Sequence, residues 1–364
     1  MARSRLREGA APGAGWRSRP ATLAALIAFA LVVLAAAPVD TPTADNLFDQ
    51  SVVNDIRLTM KPGDWDTLRA TCLEDTYYPA DMAWQGQVVP MVGVRSRGSG
   101  SRNPYKPGLK VDFGRYVDQK LLGLKSVVLA NAVQDPAMLK QRVAMLMYER
   151  MGVPAPRVAH VRVFVNEVYV GLYMLIEPID TNFLARVYWT DQHGKKENDG
   201  YLYEYVRKDA YEGLPGPGSA DLRRAVRAED PMYRFQGKEV SQLLPWDKGL
   251  AFWAVDRDIL QGVTANVLAS RTLAIPWLYR TYLETLLACA AAAMAPVSSD
   301  SPTGWLEAEA QKETAQIRAA GYADEQKPFT NERFEDELGK MLEFARERGP
   351  SVIREARKAL AWTE

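Results

Sequence analysis

The segment HVRVFVNEVYVGLYMLIEPID, from His160 to Asp180, constrains this chain's fold more than any other. Apolar residues alternate on both sides of Asn166-Glu167, and β-branched and aromatic types dominate each run, which is the period and chemistry of a strand. Asn tolerates the backbone of a two-residue turn, so the segment reads as a β-hairpin. Upstream, DIRLTM, QVVPMVGVRSRG and GLKVDF have the same texture and read as strands. Between Asp135 and Gly152 the spacing changes: Leu139, Val143, Leu146 and Met147 mark an amphipathic helix, with Asp135 as its cap, Pro136 in its first turn and Gly152 closing it.

Several strands, one helix and a hairpin describe an α+β lobe built on an antiparallel sheet, the order also found in the small lobe of protein kinases. GLPGPGS, at 213–219, supports neither helix nor strand and is a loop. Beyond Leu260 the chain reads as helical: QGVTANVLASRTL, IPWLYRTYLETLLACAAAAMA, NERFEDELGKMLEFARERG and SVIREARKALAW. The Ala-rich run 288–295, flanked by Arg280, Glu284 and Asp300, is too short to span a membrane. The helices from Trp305 onward carry no functional signal and are expected to cover the second lobe. The expected organisation is a leader with its linker at 1–45, a sheet-rich lobe at 46–180 and a shortened, mainly helical lobe at 181–364.

The leader places Arg3, Arg5, Arg7, Arg17 and Arg19 before an apolar run from Ala21 to Ala37, the order of an export signal. A spanning helix needs about 17–25 residues, so this run fits a cleaved peptide and a retained anchor alike. Ala35 and Ala37 suit cleavage and Pro38 opposes it, and both outcomes stay open. Either one implies an extracytoplasmic protein that is secreted, displayed on the surface or anchored by this segment. Over the whole chain 45 basic residues balance 45 acidic ones, so no net field draws it to nucleic acid or to an anionic membrane. Cys72 and Cys289 lie far apart without metal-ligand or redox spacing; pairing after export and two free thiols are both compatible with the sequence.

Two segments carry residues suited to phosphate chemistry. RSRGSGSRNPYKPGLKVDF sets Gly98, Gly100, Ser99 and Ser101 among Arg95, Arg97 and Arg102, followed by Lys106 and Lys110. Small residues let backbone amides approach phosphate oxygens while Arg and Lys supply charge, although a solvated Gly/Ser turn has the same pattern. Lys110 stands mid-strand between Leu109 and Val111, where an ammonium needs a partner, so it is the leading phosphate ligand and Lys106 the second. SQLLPWDKGLAFW delivers Asp247 at the end of an apolar run, where a carboxylate can hold magnesium or merely start a turn. His160 lies in a strand and His193 in a polar loop; with no nucleophile elbow or H-E-x-x-H present, hydrolase triads and zinc proteases are excluded.

In order, DTYYPADMAWQGQVVPMVGVRSRGSGSR, KPGLKVDF, the run from LLGLKSVVLANAVQDPAMLKQRVAMLMYERMGVPAPR through GLYMLIEPID, NDGYLYEY and LLPWDKGLAF resemble the spore coat protein H (CotH) kinase family, atypical and secreted relatives of protein kinases. The resemblance implies a two-lobed kinase-like fold with ATP and magnesium between the lobes, and a hydroxyl on a secreted or envelope protein as acceptor. It implies that Lys110 holds phosphates, Asp247 the metal, Arg97 and Ser101 lie over the phosphates, and Glu177 falls near the base and the link between lobes. One departure matters. Phosphoryl transfer needs an Asp with a nearby Asn, spaced D-x-x-x-x-N, and no Asn occurs between Asn198 and Asn266. Asp230 is the nearest stand-in metal ligand and Asp221 a further one. The resemblance is therefore compatible with an active kinase and with a degenerate kinase fold serving as an envelope binding or assembly module. A structural envelope protein using neither nucleotide nor metal is a third reading, in which Lys110 and Asp247 are dispensable.

Overall fold

Seven strands close into a barrel in the order β1, β2, β3, β4, β5, β7, β6. They are β1 (Asn54–Met60), β2 (Tyr78–Trp84), β3 (Gln87–Ser96), β4 (Leu109–Asp112), β5 (Ser126–Ala130), β6 (Val158–Val165) and β7 (Val168–Ile176). In this computed structural model the described residues are 42–188, 201–204, 232–236 and 241–361, and from Thr43 onward they belong to one unit. The leader, the GLPGPGS loop, His193, Asp221 and Asp230 lie outside the described residues. Among the described residues no helix is long and apolar enough to cross a membrane.

The expected hairpin is β6–β7, with Val165 paired to Val168. Asn166 and Glu167 take φ of 49° and 64°, both in the left-handed region that this two-residue turn requires. All neighbouring strands run antiparallel except one pair: β1 lies parallel to β6, with Ile56 opposite Val163, and this pairing closes the sheet. Closure removes the exposed edges that an open sheet would present. Inside the barrel, alternate residues such as Leu58, Trp84, Val94, Val111, Leu129 and Leu175 make one apolar cluster.

Outside it, β5, β6 and β7 face a helical layer of α3 (Lys140–Arg150), α7 (Trp305–Tyr322) and α8 (Asn331–Ala361), forming a second cluster with Val128, Met174, Ile176, Ile317 and Phe334. From Val170 onward β7 is buried on both faces, which is why its apolar run becomes continuous. The remaining helices are α1 (Ala44–Leu47), α2 (Pro62–Ala70), α4 (Thr181–Tyr188), α5 (Val267–Leu273) and α6 (Pro276–Met294), the last packing on α8. A small sheet, β8 (Tyr201–Glu204), β9 (Met232–Gln236) and β10 (Ser241–Pro245), precedes α5, and β11 (Pro296–Ser298) with β12 (Ser301–Gly304) joins α6 to α7. A strand-rich part followed by a mainly helical one is the expected α+β, two-lobed order.

The helix α3 begins at Lys140, later than its expected cap. Asp135 instead binds two backbone donors with its carboxylate, Ala137 N at 3.1 Å and Lys140 N at 2.8 Å, across a turn in which Met138 has φ 56°. The layer is seamed by buried charge. Glu313 of α7 lies 2.8 Å from Arg142 and 3.2 Å from His160, at ion-pair distance but off hydrogen-bond alignment. His160 Nε2 also lies 2.8 Å from Met138 O. Burial opposes ionisation of Glu313, yet His160 and Arg142 together hold its carboxyl below the usual range.

Asp135 goes the other way: burial raises its carboxyl to about 6, against the attraction of Lys140 and the two backbone donors. A raised acid favours folding only as it takes up its proton, so this residue adds stability as pH falls from above 6 toward the unfolded value near 3.8. The shift corresponds to on the order of 3 kcal/mol. Subtracting the denaturant stability of Asp135→Asn from that of the native protein should leave a difference that rises by this order between pH 7 and pH 4; a flat difference contradicts it.

Candidate functional site

Between β3 and β4 the Gly/Ser turn forms a loop, 97–108, closed at its base by Arg97 N donating to Gly108 O at 2.8 Å. A Cβ on Gly108 would stand 2.9 Å from Arg97 O, so the two shoulders approach this closely only with glycine there. Gly98 has φ +124°, a backbone open to glycine alone in practice. The loop's carbonyls are held by side chains of the protein. Arg102 Nε donates to Gly98 O at 2.8 Å, Gln134 Nε2 to Gly100 O at 3.4 Å, and Asn131 Nδ2 to both Ser101 O at 2.8 Å and Lys106 O at 2.7 Å.

Arg102 also binds Cys72 O and Glu74 O, each at 3.0 Å, and pairs with Asp75 at 2.5 Å. That contact holds the Asp75 carboxyl below its ordinary value. The N–H groups of Gly98 to Asn103, by contrast, donate to no group among the described residues. Several of the loop's carbonyls are thus engaged, and its consecutive amides are left as donors of the kind an anion accepts.

A distant segment meets this loop. The guanidinium of Arg97 lies 5.6 Å from the ring of Trp246, which follows β10 and is buried in the outer cluster. The next residue, Asp247, is exposed with φ 52° and has no hydrogen bond or ion pair to the described residues. Left-handed backbone on a non-glycine residue costs of order 1 kcal/mol and is kept where surroundings impose it; here it falls on the residue that directly follows Trp246. Lys110 stands on the outer face of β4 opposite Arg95 and Val128. It is half-buried, with no ion pair or hydrogen bond among the described residues.

Two expected ligands are committed elsewhere. Lys106 is fully buried, its ammonium 2.6 Å from Asp324 and 2.8 Å from Leu172 O, with Tyr173's ring 5.0 Å away. Burial pushes this ammonium below its ordinary value and Asp324 offsets part of the fall. Glu177 is 1% exposed and takes four donors: Arg157 N at 3.1 Å, Arg157 Nη2 at 2.8 Å, Arg186 Nε at 3.1 Å and Arg186 Nη2 at 2.7 Å. Lys106 cannot turn to a ligand without leaving the buried Asp324 unpaired, and the buried Glu177 has its carboxylate taken up by two arginines, so both expectations are corrected: these are fold residues.

Arg97, Ser101, Asp247 and Lys110 remain, the first three on the loop and on the segment it meets. Asp230 lies outside the described residues. Sequence reasoning missed Asn131, Gln134 and Asp324, whose roles depend on approaches across the fold rather than on any local pattern. Among the described residues no three His, Cys, Asp or Glu side chains gather as a metal cluster.

Residues 94–223 match the family described as CotH kinase protein. The matched segment contains the loop, Lys110, Asn131 and Glu177, and it ends before Asp247. No curated protein matches the chain.

The two lysines separate cleanly in a stability measurement. Lys106→Met leaves Asp324 buried without its partner and should cost about 3–5 kcal/mol in denaturant unfolding. Lys110→Met, which breaks no side-chain hydrogen bond or ion pair among the described residues and keeps an apolar stem of similar length, should stay within about 0.5 kcal/mol of the native protein. Equal costs would contradict the assignment.

Proposed function

We propose, from the match of residues 94–223 to the CotH kinase family, that the protein binds magnesium-ATP, with the triphosphate on the 97–108 loop. The observation that carries the reading is the run of acceptor-free amides from Gly98 to Asn103, on a loop where the Gly98, Gly100, Ser101 and Lys106 carbonyls are already bound. Phosphate oxygens accept such donors without competing ties to be broken, and the loop pays little ordering entropy on binding because it is already fixed. Arg97 adds charge at the loop's base, and Ser101 a hydroxyl on its ascending limb. Lys110, one strand along, is a cation with no protein partner among the described residues and suits the same polyanion.

The donor set fits the phosphates and one metal contact. Asp247 is the carboxylate open to magnesium, and with no further carboxylate or His beside it among the described residues the ion's other ligands would be phosphate oxygens and water. Magnesium, when bound, neutralises charge on the phosphate oxygens. Arg97 meets Trp246, the neighbour of Asp247, and this contact between the loop and the Asp247 segment supports assigning both to one site. Glu177, tied to Arg157 and Arg186, is left out of base recognition.

Binding is the step these residues support. Transfer to a hydroxyl needs a general base with a neighbouring Asn, and no Asn occurs from 199 to 265. That absence favours a second reading, a nucleotide-regulated or nucleotide-free binding module on a kinase fold. The Arg-then-apolar leader supports an extracytoplasmic setting for either, with a secreted or envelope protein as partner.

Magnesium-ATP at about a hundred times its dissociation constant should raise the unfolding free energy by about 2.7 kcal/mol. The gain should need magnesium and vanish in Asp247→Ala, and calorimetry should show one site. No stabilisation at millimolar nucleotide contradicts the proposal. If binding is found, labelled phosphate transferred to an envelope protein extract separates an active kinase from the module; label retained wholly in ATP favours the module.

A further inference from the structure

We propose that Asn131 is the positioning residue of the phosphate-facing loop, the side chain that fixes which way its central amides face; the inference rests on the nucleotide reading above. Asn131 follows β5 directly and is 3% exposed, so water does not replace its bonds. One amide nitrogen spends both hydrogens on the loop, bridging Ser101 O and Lys106 O on its two limbs. The residue is itself well placed: Ala130, just before it, pairs with Met174 of β7, and Ala132, just after it, turns away at φ 53°.

The consequence comes from peptide planarity. In a trans peptide the C=O and the following N–H point to opposite sides of one rigid plane. Fixing Ser101 O toward Asn131 therefore directs the Arg102 N–H away from it. The same holds for Gly98 O on Arg102, which directs the Ser99 N–H, and for Gly100 O on Gln134, which directs the Ser101 N–H. Of these clamps Asn131 alone is buried and ties both limbs together; Gln134 is exposed and its bond is long. Removing Asn131's donors frees the Ser101–Arg102 plane to rotate and leaves the Ser101 and Lys106 carbonyls without their shared donor. Nothing in this role requires Asn131 to touch the nucleotide.

Asn131→Asp keeps the shape and removes both donors. By titration calorimetry it should bind magnesium-ATP at least tenfold more weakly than the native protein and inorganic tripolyphosphate at least tenfold more weakly. The amide signals of Ser99 to Arg102 should move in the unliganded variant, which a residue of merely local packing would not cause. Native affinity in a folded Asn131→Asp overturns the proposal. Should that variant fail to fold, Asn131→Ser, which adds no charge and keeps one short donor, decides: a loss of threefold or more supports the role, and unchanged affinity overturns it. If the native protein binds neither ligand, the nucleotide reading fails and takes this inference with it, an outcome distinct from native binding that the variants leave untouched.

Discussion

The ammonium of Lys106 and the carboxylate of Asp324 meet out of water, and three remote parts of the chain depend on their meeting. Lys106 belongs to the descending limb of the 97–108 loop, Asp324 to the link between α7 and α8, and both bind Leu172 of β7, the lysine at its carbonyl and the aspartate at its N–H. Gly171 makes room: with φ +133°, a Cβ there would stand 2.6 Å from the Asp324 carboxylate. A buried pair of this kind is weak evidence of net stability, since desolvation consumes much of the attraction, but it is unforgiving of misassembly because either partner alone is a buried, unpaired charge. It therefore specifies how the loop is seated on the barrel and where the helical layer locks against it.

Seating the loop matters because the donors proposed for phosphate are backbone amides. Side chains can find a ligand by rotating; amides must already face it. The barrel supplies one end of that constraint through the β3–β4 ladder, in which Ser96 pairs with Leu109. Lys106, Asn131 and Arg102 supply the rest from three different sides. The same layer that receives Asp324 also carries Glu313 and Glu337, each facing a cation of α3 or its flank, Arg142 and Lys140. Helix α3 is thus fastened to the C-terminal helices by charge and to the barrel by apolar packing, and the strand-rich and helical parts share one core.

Much of this was legible in the sequence where the signal is local. Alternation and the Asn166-Glu167 turn gave β6 and β7, and the switch of period gave α3, though its start moved from Pro136 to Lys140 because the Asp135 carboxylate spans a turn before it reaches the helix's first N–H. The parallel pairing of β1 with β6 was not legible, since register between distant strands leaves no local mark. Lys106 and Lys110 look alike in a string of basic residues; only the approach of Asp324, a long way along the chain, separates a structural lysine from an open one. Glu177 has the same history. A polar residue ending a strand looked exposed, and Arg157 and Arg186 enclose it. Asn131 sits in a run, LANAVQDPAM, whose pattern announces a turn and nothing more.

The claim on which the functional account stands is that the amides from Gly98 to Asn103 are the phosphate donors. Backbone amide resonances followed during titration with magnesium-ATP test it most directly. The account predicts saturable downfield shifts concentrated in Gly98 to Asn103, with the Leu172 and Gln326 amides bound to Asp324 staying where they are. Shifts centred elsewhere, or none at millimolar nucleotide, would contradict it and leave the loop as a fixed surface turn of the barrel.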